Sequence, residues 1–205
     1  MNIAIIAYGS LIWDLDDLAP QVQGQWLRGR GPRLPVEFAR ISPKRKRALV
    51  LVVDDTAKAA SPTSLIASKR ARLEDAIADL ARRERCAGER IGVATRAGGT
   101  MRSRSPAAIA AVGDWLSASP FDAALWTELD SNFAAETGTA FTPSAAERHL
   151  RGLDRESLAE AWRYIEFAPQ ETDTPFRRHI RAQAWWRALS FIAEGGSGFR
   201  ATEPA

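Results

Sequence analysis

Ile5-Ile6-Ala7-Tyr8-Gly9-Ser10-Leu11-Ile12-Trp13 begins as an apolar run and breaks at Tyr-Gly-Ser before apolar residues resume. A short apolar run that stops at glycine and a small hydroxyl residue predicts a buried strand followed by a tight turn. Glycine reaches dihedrals that other residues avoid, so the backbone at Gly9 can approach a ligand closely. Successive N–H groups in such a turn form a small concavity that suits an anion such as a carboxylate. The same residues also suit an ordinary strand end, and local chemistry leaves both readings open.

Moving outward, residues 14–20 read as an acidic loop and residues 24–35 as a Gly/Pro/Arg-rich connection. Residues 34–40 then alternate, so Leu34, Val36 and Phe38 share one strand face and Arg40 has the same parity. Ser42-Pro43-Lys44-Arg45-Lys46-Arg47 is a polar, basic turn leading into Ala48-Leu49-Val50-Leu51-Val52-Val53, a run continuous enough to be covered on both faces. Together they predict a hairpin with a solvated tip; no aromatic stacking residues accompany the basic cluster, which argues against a nucleic-acid contact. Residues 54–62 read as a loop and residues 63–68 as a third strand. Residues 69–86 predict an amphipathic helix closed by Gly88, with Leu73, Ala76, Ile77 and Leu80 on one stripe. Glu84 follows Leu80 on that face, at the helix C-terminus, where negative charge is least favoured. It either reaches out to solvent or serves a site; Arg82, Arg83 and Arg85 are expected to point elsewhere.

Residues 91–95 predict a strand and residues 98–105 a polar, basic loop. Residues 121–126 are apolar and fit a strand or a helix equally. From Pro106 the chain becomes mostly helical, with helix starts at Pro106, Thr142-Pro143, Asp154 and Thr174-Pro175, the last helix running to about Ala193. Residues 195–205 predict a disordered tail.

The 205 residues, 45% hydrophobic and 26% charged, predict one soluble domain, with a core over residues 1–104 and a helical extension over residues 105–194. A net charge of +3 is too small and too dispersed to indicate nucleic acid, though an anionic small substrate would not be repelled. The single cysteine, Cys86, excludes an internal disulfide and suits a reducing cytoplasm. Arginines near it would lower its pKa, although packing is the commoner role of a free cysteine. No run suits a signal or a membrane span, so no membrane partner is expected. His149 and His179 lack metal-ligand spacing, and neither a phosphate-binding glycine motif nor a nucleophile elbow around Ser10 occurs. Neither a metal nor a cofactor is expected.

Two signals, each weak alone, gain weight together. Tyr8-Gly9-Ser10-Leu11, inside a Tyr-Gly-Ser-Leu-Ile-Trp string, and Arg83-Glu84 at the end of the helix resemble the gamma-glutamylcyclotransferase superfamily, most closely its glutathione-degrading ChaC-type branch. The resemblance covers roughly the first half of the chain. It implies an α+β fold, a small mixed β-barrel with flanking helices, here carrying a mostly helical C-terminal elaboration. It further implies that Tyr8, Gly9, Ser10 and Leu11 hold a gamma-glutamyl group while Glu84 acts as general acid/base. The substrate would be a small gamma-glutamyl compound, glutathione among them, closed to 5-oxoproline. Arg40 is expected beside the pocket, or paired with Glu37 or Asp14. The chain departs from the family pattern in three places. Ala7 replaces a usual glycine, Arg85-Cys86-Ala87-Gly88 replaces a usual glycine-tyrosine continuation, and the half from Pro106 onward lies outside the resemblance. Two alternatives stay open: a non-catalytic relative presenting Trp126, Trp162, Trp185 and Trp186 to a partner, and an enzyme removing a gamma-glutamyl protecting group in biosynthesis. The oligomeric state is open, a homodimer included.

Overall fold

All five residues of Ile3–Ala7 (β1) are buried, and the strand lies inside a six-stranded sheet. The computed structural model describes residues 1–57, 59–96 and 99–189. On one side β1 runs antiparallel to Ser64–Ser68, and on the other parallel to Ala123–Thr127. Ile3, Ile5 and Ala7 enter one apolar cluster, while Ala4, Ile6 and Tyr8 enter the other. A strand buried on both faces has no solvent side to mark with polar residues, hence the uninterrupted apolar run.

The remaining strands are β2 (Val22–Leu27), β3 (Arg33–Ser42), β4 (Ala48–Val53), β5 (Ala60–Pro62), β6 (Ser64–Ser68), β7 (Ile91–Thr95), β8 (Met101–Arg102) and β9 (Ala123–Thr127). The larger sheet is ordered β2-β6-β1-β9-β7-β8 and the smaller β4-β3-β5. The architecture is mixed α+β, but among the described residues the strands form two open sheets and not the closed barrel expected. Three strands fall wholly or partly in stretches read as loops: β2, which overlaps the start of the 24–35 connection, β5 within 54–62 and β8 within 98–105. The ambiguous 121–126 stretch is β9, which pairs with both β1 and β7. Trp126 faces Gly92 across the β7–β9 pair, and a Cβ on Gly92 would lie 2.2 Å from the indole.

The β3–β4 hairpin forms as expected, with one irregularity. Glu37 pairs with Val52 and Arg40 with Val50, so β3 carries an extra residue between them. Such a bulge reverses the parity of the later residues in the strand. Leu34, Val36 and Phe38 are continued in the core by Ile41 instead of Arg40. Glu37 is buried at the bulge, accepting the N–H groups of Phe38 and Phe176.

Helix α1 (Leu73–Glu84) lays Ala76, Leu80 and Ala81 against the Ile3/Ile5 cluster. Gly88 does not close it. Arg85 does, in the left-handed conformation (φ 53°), its N–H reaching the carbonyls of Ala81 and Arg82. Helices α2 (Pro106–Ser117), α3 (Phe133–Thr137), α4 (Pro143–Arg151), α5 (Arg155–Phe167), α6 (Pro175–Ala182) and α7 (Ala184–Ala188) follow. Thr142, Asp154 and Thr174 cap as expected, each side chain accepting the N–H three residues on. The helix expected from Pro175 breaks at Gln183, whose backbone is extended. Its expected end near Ala193 and the 195–205 tail lie outside the described residues. Ala161, Tyr164 and Ile165 of α5 pack in the same cluster as Phe38 and Leu51, so the helical half and the sheets share one core. Among the described residues no helix is long and apolar enough to cross a membrane.

Candidate functional site

A cavity of about 290 Å³ opens where β1 ends, bounded by the β3–β4 hairpin, the C-terminus of α1 and one face of α5. Tyr8, Gly9, Ser10, Leu11, Arg40 and Glu84 all line it. Val50, Leu51, Val52, Thr127, Leu129 and Tyr164 supply much of the remaining wall.

The turn after β1 forms because the sheet ends there and the chain winds into a single 3-10 turn, Ser10–Ile12. Ile12 N–H donates to Gly9 O at 3.1 Å and Asp14 N–H to Ser10 O at 2.9 Å. Tyr8 is buried, and its hydroxyl donates to Thr127 O at 2.6 Å, at the end of β9. Burial, followed by the charge of Glu84, holds the Tyr8 phenol well above its ordinary pKa, so it remains a neutral donor. Glycine is needed at position 9 for a reason other than dihedral freedom. Its φ is −136°, but a Cβ there would lie 2.6 Å from the Tyr164 hydroxyl oxygen. Gly9→Ala is therefore expected to cost about 1–3 kcal/mol by overpacking. In a double-mutant cycle, Tyr164→Phe, which removes that oxygen, should recover most of the loss; thermal denaturation of the four proteins reads the coupling.

Glu84 is the last residue of α1, with its side chain 19% exposed. Among the described residues its carboxylate accepts no hydrogen bond, and Arg83 Nη1 stands 3.9 Å from Oε1. Burial raises its pKa above the usual carboxylate value, against the pull of Arg83, Lys44 and Arg45. Arg83 and Arg85, expected to point elsewhere than Glu84, line the same cavity, and Arg83 is buried. Its Nε donates to Leu15 O at 3.0 Å and its Nη2 to Asp14 O. It thereby ties the end of α1 to the chain just beyond the 3-10 turn and fixes Glu84 relative to Tyr8–Leu11. Arg40, moved off the Phe38 face by the bulge, lines the cavity and donates to Asp130 O at 2.7 Å; neither Glu37 nor Asp14 is its partner.

Tyr164 is a wall residue that the sequence did not single out. Its hydroxyl oxygen accepts Leu51 N–H at 3.3 Å. Trp13 and Phe38 pack edge-on against the ring and the Arg45 guanidinium lies 5.2 Å over it. The available signal was a lone hydroxyl on the α5 apolar stripe Ala161, Tyr164, Ile165, which core packing explains equally well.

Cys86 is half-buried, and burial with Glu84 pushes its thiol up to about 11, opposite to the lowering expected from nearby arginines. His179 Nε2 lies 2.7 Å from Glu147 Oε2 and His149 Nε2 2.9 Å from Arg47 O, and neither lines the cavity. Among the described residues no group of three His, Cys, Asp or Glu side chains is placed to hold a metal ion. Trp126 and Trp186 are buried, so the four tryptophans do not form a presented set.

The site thus joins a neutral phenol, a partly engaged turn and a desolvated carboxyl group that can take up and return a proton. No family model matches the chain, and neither a curated protein nor a solved structure matches it.

Proposed function

We propose that the cavity binds a gamma-glutamyl compound and closes it to 5-oxoproline, releasing an amine or peptide. One observation carries this reading: the Tyr8–Leu11 turn and Glu84, far apart in sequence, line one cavity. The two open sheets would then be an opened relative of the superfamily's mixed barrel, with α2–α7 as its elaboration.

In the reaction the substrate α-amine attacks its own γ-carbonyl. The bond between Nα and the γ-carbonyl carbon (Cδ) forms, the bond from that carbon to the departing nitrogen breaks, and no water is consumed. Holding both groups in one molecule and one pose supplies an effective molarity on the order of 10⁵ M or more. Glu84 takes a proton from the α-ammonium and delivers it to the departing nitrogen; a second proton follows the same route as that nitrogen leaves as an ammonium. Its raised pKa suits both roles. The free N–H groups of the turn and Arg40 hold the substrate carboxylate, and Tyr164, kept neutral by burial, offers its O–H to the developing oxyanion.

The pH profile of turnover tests the assignment. Glu84 must be ionised to accept the first proton, so kcat/KM with a gamma-glutamyl amide should rise with pH through an apparent pKa above the ordinary carboxylate range. A flat profile down to pH values below that range would exclude Glu84 as the base.

A further inference from the structure

Arg40 reaches the cavity because β3 carries a bulge: Phe38 and Ala39 stand opposite the single Leu51, between the pairs Glu37–Val52 and Arg40–Val50. A bulge interrupts the ladder, and β5, which pairs with Arg33, Leu34 and Pro35, stops short of it. The segment that follows β9 takes over from there. Ser131 donates its hydroxyl to Ala39 O at 2.8 Å. The Asn132 side-chain amide accepts Ile41 N–H at 2.7 Å and donates to Ile41 O at 3.0 Å. Asp130 O accepts Arg40 Nη1–H at 2.7 Å, and Leu129 of the same segment lines the cavity.

The Asn132 side chain is spent against local preference. It stands at the N-cap of α3, where asparagine ordinarily accepts an N–H of the first helical turn, yet among the described residues it makes no capping bond. Both ends of its amide go to Ile41, as the backbone of a neighbouring strand would. The segment is anchored on its other side as well. Glu128 is buried and accepts Trp126 Nε1–H at 2.6 Å and Arg104 N–H at 2.7 Å, while the Asp130 carboxylate pairs with Arg90 and Arg104. Asp130 O is therefore a fixed acceptor. An arginine bonded to it has given up rotamer freedom before any ligand arrives, which lowers the ordering cost of binding.

We propose that Asn132 is a positioning residue for Arg40: by bonding both backbone groups of Ile41 it locks β3 beyond the bulge, so that Arg40 meets the substrate carboxylate from a fixed direction. This rests on the gamma-glutamyl reading of the cavity, in which Arg40 helps to hold that carboxylate. Asn132 lies outside the cavity lining and acts only through its neighbour. The carboxylate keeps its charge throughout the cyclisation, so Arg40 holds ground state and transition state alike. Loss of Asn132 then appears in KM and leaves kcat in place.

Steady-state kinetics on gamma-glutamyl-propylamine test this across the parent, Asn132→Ala, Arg40→Gln and the double variant. Arg40→Gln should raise KM about tenfold and Asn132→Ala about fivefold, each with kcat within about twofold of the parent. In the double variant KM should match that of Arg40→Gln alone, because no guanidinium is left to position. Asn132→Asp keeps the size and the acceptor for Ile41 N–H but loses the donor to Ile41 O. It should show the same coupling, and it replaces Asn132→Ala if that variant does not fold. An unchanged KM, a fall in kcat, or KM effects that multiply in the double variant would mean that Asn132 serves only the fold. Any of these overturns the positioning role and leaves the gamma-glutamyl reading standing. If the parent turns over no gamma-glutamyl amide, both fall.

Discussion

Glu84→Gln is expected to lower kcat/KM on a gamma-glutamyl amide by about 10²–10⁴, the usual worth of a positioned acid/base, while the protein folds normally. The amide keeps the size of the carboxyl group and cannot cycle a proton. The same change should stabilise the protein. The folded-state pKa of Glu84 lies above its unfolded value, so between the two the native state binds more protons. Stability then falls as pH rises through that window, and the loss is complete above the folded pKa. A neutral amide at this position removes that penalty, so at neutral pH the variant should melt about 2–4 °C higher, a rise typical of relieving one strained functional group. Steady-state kinetics and calorimetry on the same preparation check both halves. Full activity in the variant would sink the assignment.

Arg177→Met should be the most damaging single change to stability. Arg177 is 1% exposed and sits beyond the C-terminal end of α5, where helix carbonyls lack partners. Its Nη1 donates to Pro169 O and Thr172 O, and its Nη2 to Glu166 O at 3.1 Å and Ala168 O at 2.7 Å. Burial pushes its pKa down to about 10, still high enough to keep it charged at neutral pH. Methionine fills similar volume but leaves four carbonyl oxygens without that donor. The expected loss is about 3–5 kcal/mol, read in urea denaturation as a lower midpoint at unchanged slope. Because α5 also carries Tyr164, activity in the surviving folded fraction should fall as well. A variant as stable as the parent would show that those carbonyls find other partners.

The parts of the fold legible in the sequence are those where one residue pattern admits one structure. β1, β4 and β7 are short apolar runs between breakers, and α4 and α5 begin at side chains that do cap them. β2 was illegible because its burial is confined mainly to Val22, so its residues carry no strand period. The parity of Arg40 failed at a bulge, which inserts one residue and leaves no composition signature of its own. The C-terminus of α1 was misplaced because Gly88 offered a conventional stop, while Arg85 took the left-handed cap at an energetic cost that sequence rules do not anticipate.

The site was legible in outline only. Tyr8–Leu11 and Glu84 could be paired by resemblance, and they do share a cavity. The need for glycine at position 9 was not legible for its true reason, since it depends on Tyr164 arriving from a helix far along the chain. Arg83 was equally hidden: only the fold shows that its charge is engaged by the carbonyls of Asp14 and Leu15.

The origin of the product's oxygen atoms tests the central claim most directly. In ¹⁸O-labelled water, the protein should convert a gamma-glutamyl amide to unlabelled 5-oxoproline and free amine in equal amounts, because the attacking nitrogen belongs to the substrate. Glutamate labelled in its γ-carboxylate would mean that water is the nucleophile and would contradict the cyclisation; so would the absence of product from every gamma-glutamyl amide offered.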